Sequence, residues 1–277
     1  MRVGVAVIDT GIYRHIDFDN RIIGFKDFVN ERSSPYDDSG HGTHVSGIIC
    51  GSGRASKGKY KGLAPEAAIV SVKVLDMAGN GRIANVIDGT RWILKMKDYY
   101  NIKVVNISFG TTMENQEDEA AELVEAIDNL WNAGIVVVAA AGNSGPGKYS
   151  VTAPGICKSI ITVGAYDDQS FKDGKEHRKK YFSGRGPTRE CIMKPEVVVA
   201  GSNIVACSNR KNSYSMKSGT SMAAPIVSGA IARLLNQKKM TPKEIKIRLR
   251  SCCSKIEIPA NQQGWGMLDV IRFISEK

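Results

Sequence analysis

The sequence predicts an α/β fold: a doubly wound, mostly parallel β-sheet flanked by helices, closed as a single domain over residues 1–277. Short β-branched runs alternate with helical patterns along the chain, the order that right-handed crossovers convert into parallel strands. The runs are apolar almost throughout, as strands covered on both faces must be. The 277 residues contain no Pro-, Ser- or Gly-rich linker, and a chain of that length can bury one large core.

The elements follow in order. VGVAVID (3–9) is the first strand, ending on Asp9 before a Thr-Gly turn. A Gly-rich turn then leads into a helix over 42–52, whose small residues and apolar period suit a buried position. AIVSVKVL (68–75), KVVNISF (103–109), IVVVAAA (135–141) and SIITVGA (159–165) are further strands, with helices over 83–98 and 117–133 between them. The last third is helical over 220–236, 242–250 and 266–275. In KSGTSMAAPIVSGAIARLL (217–235) small residues lead into an apolar helix. Pro225 there would deprive the Ser221 carbonyl of its helical donor. In such sheets ligands bind beyond the carboxyl ends of the strands.

Composition excludes several classes. The longest apolar runs, such as IVVVAAAG (135–142), are too short to span a bilayer. No charged-then-apolar leader opens the chain. Six cysteines are scattered without C-x-x-C pairs, which favours reduced thiols over a disulfide scaffold. The expectation is a cytoplasmic protein, or a secreted one if the chain is a processed form. Lys plus Arg exceed Asp plus Glu by 38 to 28, giving a net charge of +10, concentrated in 54–62, 172–180 and 236–250. These runs read as solvated faces. Without interleaved aromatics or a nucleic-acid motif they do not predict a nucleic-acid partner. GRASKGK (53–59) has P-loop spacing, but Tyr60 stands where Ser or Thr must hold Mg²⁺ and a helix precedes it. HGTH lacks zinc-protease spacing, and no metal site is predicted from it.

Four polar residues remain, each at the end of an element: Asp9 in VIDTG, His44 in SGHGTHVSGIIC, Asn143 in AAAGNSGPG and Ser221 in GTSMAAP. Singly, each suits a turn, a cap or a structural histidine. Together, Asp, His and Ser occur in one of the known chain orders of a nucleophilic triad. With KVLDMAGNG, NISFG and FSGRGPT they make the chain resemble the subtilisin-like serine proteases, the subtilases, over nearly its whole length. The resemblance implies that Ser221 attacks a peptide carbonyl, His44 shuttles the proton and Asp9 orients His44, because a serine hydroxyl needs an oriented base to become nucleophilic. It assigns the oxyanion to the Asn143 amide and the Ser221 N–H.

It also implies an extended peptide held between Ser108-Phe109-Gly110 and Gly79-Asn80-Gly81. Phe109, Ala140, Ala141 and Gly142 line the first specificity pocket in this reading, with Thr152 at its base; Ile83 and Val86 face a more distant subsite. An uncharged apolar residue before the scissile bond follows. No cofactor is needed for catalysis. The loop that holds calcium in many relatives is GSGRASKGKYKG (51–62) here, cationic and without a carboxylate, a poor home for a hard cation. Asp17 and other carboxylates leave another calcium site open. The family's usual His after the GTSMAAP proline is Ile226. A peptide-binding pseudoprotease is the competing reading, a nucleic-acid module a remote one. Oligomeric state is not legible.

Overall fold

The computed structural model describes residues 2–111, 117–168 and 181–275. At the centre of the molecule lies β1 (Gly4–Asp9), buried at all six positions. It is flanked by two parallel neighbours, so Gly4 stands opposite both Ala68 and Ile102. β2 (Ile22–Asp27) follows and forms the sheet edge, with Ile22 half-buried and Ile23 exposed. Its apolar pattern is too broken for the sequence to have marked it. α1 (His41–Cys50) then crosses to β3 (Ala68–Lys73). α2 (Ile83–Met96) carries the chain back over β1 to β4 (Ile102–Ile107), and α3 (Glu117–Asn132) leads on to β5 (Val136–Ala140) and β6 (Ile161–Ala165). β7 (Val197–Val199) extends this side, also parallel.

The strand order β2-β3-β1-β4-β5-β6-β7 reverses direction at β1. Such a reversal opens a crevice at the carboxyl ends, where Asp9 closes β1, Ser108 follows β4 and Ala141 follows β5. An antiparallel hairpin, β8 (Ile204–Cys207) and β9 (Tyr214–Lys217), stands outside the main sheet and packs on α1. α4 (Thr220–Leu235) runs through the core against α1, β4, β5 and β6. At Gly229 the approach is so close that a Cβ would lie 2.8 Å from that of Leu63.

α5 (Pro242–Ser251) starts on a capping box between Thr241 and Glu244. Its cations are not merely solvated. Lys246 Nζ donates to the carbonyls of Ser159 and Ile160 and pairs with Glu196 at 2.9 Å, while Arg248 Nε donates to Phe273 O. Likewise Arg54 pairs with Asp19 at 3.0 Å. The basic run 172–180 lies outside the described residues.

The C-terminal segment corrects the predicted helix over 266–275. After β10 (Cys253–Ser254) and the short α6 (Ala260–Gln263), residues β11 (Met267–Leu268) join β7 as a strand, and only α7 (Val270–Ser275) is helical. Backbone bonds from Trp265 N to Glu196 O and from Val198 N to Gly266 O draw the chain onto the sheet edge. Gly266, at φ 127°, supplies a bend that a side chain would resist. Among the described residues no helix is long and apolar enough to cross a membrane. None of the six cysteines forms a disulfide.

Candidate active site

β1 delivers Asp9 to the crevice with no exposed surface. Its Oδ1 accepts from Thr10 N at 2.8 Å and lies 2.7 Å from Nδ1 of His41, the first residue of α1. The predicted proton shuttle therefore needs correction: His41, not His44, meets Asp9. His44 lies one turn deeper with no exposure, its Nε2 directed at the carbonyls of Ser215 (3.0 Å) and Ile204 (3.2 Å). It ties α1 to the β8–β9 hairpin. Both histidines belong to HGTH, and helical periodicity puts positions three apart on one face. The signal that separates them is depth: His41 opens the helix at the strand ends, while His44 lies in the stretch Gly42 to Cys50 that is buried at every position.

Their electrostatics diverge accordingly. Burial opposes the charged form of His41, but the charge and hydrogen bond of Asp9 outweigh it and hold its pKa above the ordinary 6.5. Burial also dominates at His44, where no carboxylate answers it, and pushes the pKa down to about 4. A residue that sequence reasoning missed fixes this corner. Asp37 is buried and accepts from Thr10 Oγ1, Ser39 N, Gly40 N, Thr43 N and Thr43 Oγ1. Thr10 Oγ1 in turn accepts from Gly42 N at 2.9 Å. The carboxylate thus clamps the end of β1 to the first turn of α1, fixing Asp9 relative to His41.

Ser221 opens α4 one residue beyond Thr220, behind a Gly219 cap at φ 148°. Its N–H belongs to the first turn, where backbone donors lack helical acceptors and the helix end is electropositive. Asn143, just past β5, is held through its oxygen: Oδ1 accepts from both Thr220 N and Thr220 Oγ1 at 3.0 Å. That fixes the amide orientation and leaves Nδ2 as its outward donor. Pro225 lies inside α4, which continues past it to Leu235, and Ile226 packs against the core.

His41, Ser221 and Asn143 line one cleft of about 510 Å³. Ser108, Phe109 and Gly110 form a wall of it and Gly79 stands at its rim. Ala140 and Gly142 also line it, but Ala141 does not: it is buried and spends its backbone on Val163 O and Thr152 N. Asn80 and Gly81 shape the rim loop without lining the cleft; Asn80 N donates to Asp76 Oδ1. Val86 is buried in the core and neither it nor Ile83 reaches this cleft. Thr152 wedges between two backbone walls, since a Cβ at Gly110 or Gly142 would lie 1.9 or 2.3 Å from its Oγ1. A buried relay from Ser228 Oγ to Asn106 Oδ1 and from Asn106 Nδ2 to Ser108 Oγ, each 2.8 Å, braces the Ser108 wall against α4.

The calcium possibility at Asp17 meets a poor donor set. Its carboxylate accepts from Gly53 N, Ala55 N and Tyr214 OH, so the cationic 51–62 loop offers it N–H groups where a cation would need oxygens. His15 and Cys207 stand near enough to Asp17 to gather round an ion, yet His15 Nδ1 already accepts from Asp17 N at 3.1 Å. These residues do not fit calcium.

A profile of the subtilase family matches residues 2–266. Serine protease AprX of Bacillus subtilis (strain 168) is 41% identical over 271 residues, covering 91% of this chain and 61% of AprX. The thermostable alkaline protease of Halalkalibacterium halodurans is 34% identical over 257 residues, covering 92% of this chain and 63% of its own. The chain thus spans about three fifths of these curated relatives. Among solved structures, the S41 psychrophilic protease aligns with a TM-score of 0.81 at 29% identity, over 96% of this chain and 90% of its own. A cold-adapted subtilisin-like serine proteinase aligns at 0.74 and 30% identity, over 96% and 86%.

Proposed function

Because this chain belongs to the subtilase family, we propose that it is a serine endopeptidase acting through Ser221, His41 and Asp9. The observation that carries the reading is the 2.7 Å contact of His41 Nδ1 with buried Asp9, in a cleft that His41 shares with Ser221 and Asn143. His41 Nε2 takes the proton of Ser221 Oγ as that oxygen bonds to the peptide carbonyl carbon. Asp9 holds the tautomer and stabilises the imidazolium. The carbonyl oxygen, now anionic, is received by Asn143 Nδ2 and the Ser221 N–H. On collapse the C–N bond breaks and His41 returns its proton to the leaving amine; water, deprotonated by the same imidazole, then releases the acyl group. Subtilases need no cofactor for this chemistry.

A fluorophosphonate probe tests the reading. It should label wild type at Ser221, and neither Ser221→Ala nor His41→Ala should react at a comparable rate. Asn143→Ala should lose about 10²–10³ in kcat, a magnitude borrowed from subtilisin. Folded wild type that fails to label would instead favour a peptide-binding pseudoprotease.

The residue before the scissile bond would be uncharged and apolar, because Ala140, Gly142 and the Thr152 wedge bring no charge to the cleft. A peptide panel varied only there should rank apolar residues first; preference for Arg or Asp overturns this. That none of the six cysteines forms a disulfide supports a reducing, cytoplasmic setting, which disulfides in protein from its natural source would contradict.

A further inference from the structure

We propose that Lys217 selects substrates with an acidic residue in the first two positions after the scissile bond, an inference that rests on the protease reading above. The imidazole that protonates the leaving amine must stand on the leaving-group side of Ser221, so His41 marks that side. In the protease reading the acyl side is the one that Asn143, Gly110 and Thr152 serve within the cleft. Lys217 ends β9, separated from Ser221 only by Ser218, Gly219 and Thr220. Its cross-strand partner is Ile204, whose carbonyl faces His44 Nε2 at 3.2 Å. The hairpin end that carries Lys217 is therefore pinned to α1 one turn below His41. Consistent with this placement, the Lys217 charge opposes protonation of both His41 and His44.

Lys217 is half-buried as a residue and has no ion-pair partner among the described residues. The carboxylates around the start of α1 are committed: Asp9 to His41, Asp37 to its five donors and Asp38 to Lys73 at 2.8 Å. Residues 202–219 contain no Asp or Glu, and they add exposed Arg210 and Lys211 at the hairpin turn. A partly desolvated cation without a counter-charge favours a ligand that supplies one. The bound acidic side chain would lie against Lys217 as the leaving segment passes His41.

Internally quenched peptides that share one acyl-side sequence and carry Glu, Gln or Lys at the first or second position after the scissile bond provide the test. Wild type should cleave the Glu peptide about two- to fivefold better in kcat/KM than the Lys peptide at low salt, the range of a partly exposed charge pair, with the gap narrowing in high salt. Lys217→Gln should flatten the ranking while still cleaving the Gln peptide, and Lys217→Glu should invert it. Equal cleavage of all three by wild type, or an unchanged ranking in Lys217→Glu, overturns the proposal and leaves the protease reading standing. Absence of both turnover and fluorophosphonate labelling removes both.

Discussion

Two histidines three residues apart have opposite fates, and the difference is a carboxylate. His41 gains Asp9 at 2.7 Å; His44 gains two backbone carbonyls. Carbonyls orient a neutral ring, whereas a carboxylate also stabilises the imidazolium. His41 must be unprotonated to accept the Ser221 proton, so its raised pKa sets the acid limb of activity. The kcat/KM profile should therefore fall on the acid side with an apparent pKa above 6.5. Asp9→Asn removes the charge and should lower that apparent pKa together with kcat. A limb that stays in place in Asp9→Asn would assign it to another group. His44→Gln, which keeps a donor for Ser215 O, should leave the limb unmoved.

Among the elements, the strands of five or six residues with long apolar runs were legible in the sequence, whereas β7, buried but only three residues long, was not. β1, β3, β5 and β6 each fall inside a predicted run, and β4 begins one residue before its run. β2 was not legible, because an edge strand buries too few of its residues to leave an apolar run. Nor was β11, whose conformation comes from Trp265 and Gly266 meeting Glu196 and Val198 across the sheet. The site divides in the same way. Asp9, Asn143 and Ser221 follow a strand or open a helix, so their motifs expose them. Choosing between His41 and His44 requires knowing which end of α1 faces the strand termini. Asp37 was illegible because its importance lies in donors from Thr10 and Thr43, which only folding assembles. The 51–62 loop shows both outcomes: its lack of carboxylates argued against calcium, while its role as a cradle of N–H groups for Asp17 depends on its backbone path.

At the scale of the whole molecule, the β8–β9 hairpin joins α1 to the segment entering α4, and buried histidines hold that junction. His44 secures the hairpin, and His15, 2% exposed, packs edge-on to Tyr214 of β9 at 5.5 Å. Burial lowers both pKa values, that of His44 to about 4. The sign follows directly: with folded pKa values below the unfolded 6.5, the unfolded chain binds protons first as pH falls. The stability these two histidines hold is thus intact above 6.5 and declines from there toward pH 4, with His44 alone contributing a loss on the order of 3 kcal/mol. Urea unfolding at pH 8 and pH 4.5 should show this decline, and His44→Gln should reduce it even if it lowers stability at pH 8. An equal decline in the variant would locate the acid sensitivity elsewhere. His41 adds a second, separable transition, because its raised pKa removes activity before the junction begins to protonate. Near pH 6.5 the protein should be less active yet fully folded and should recover at once on neutralisation, whereas exposure near pH 4 should release the hairpin and make recovery depend on refolding.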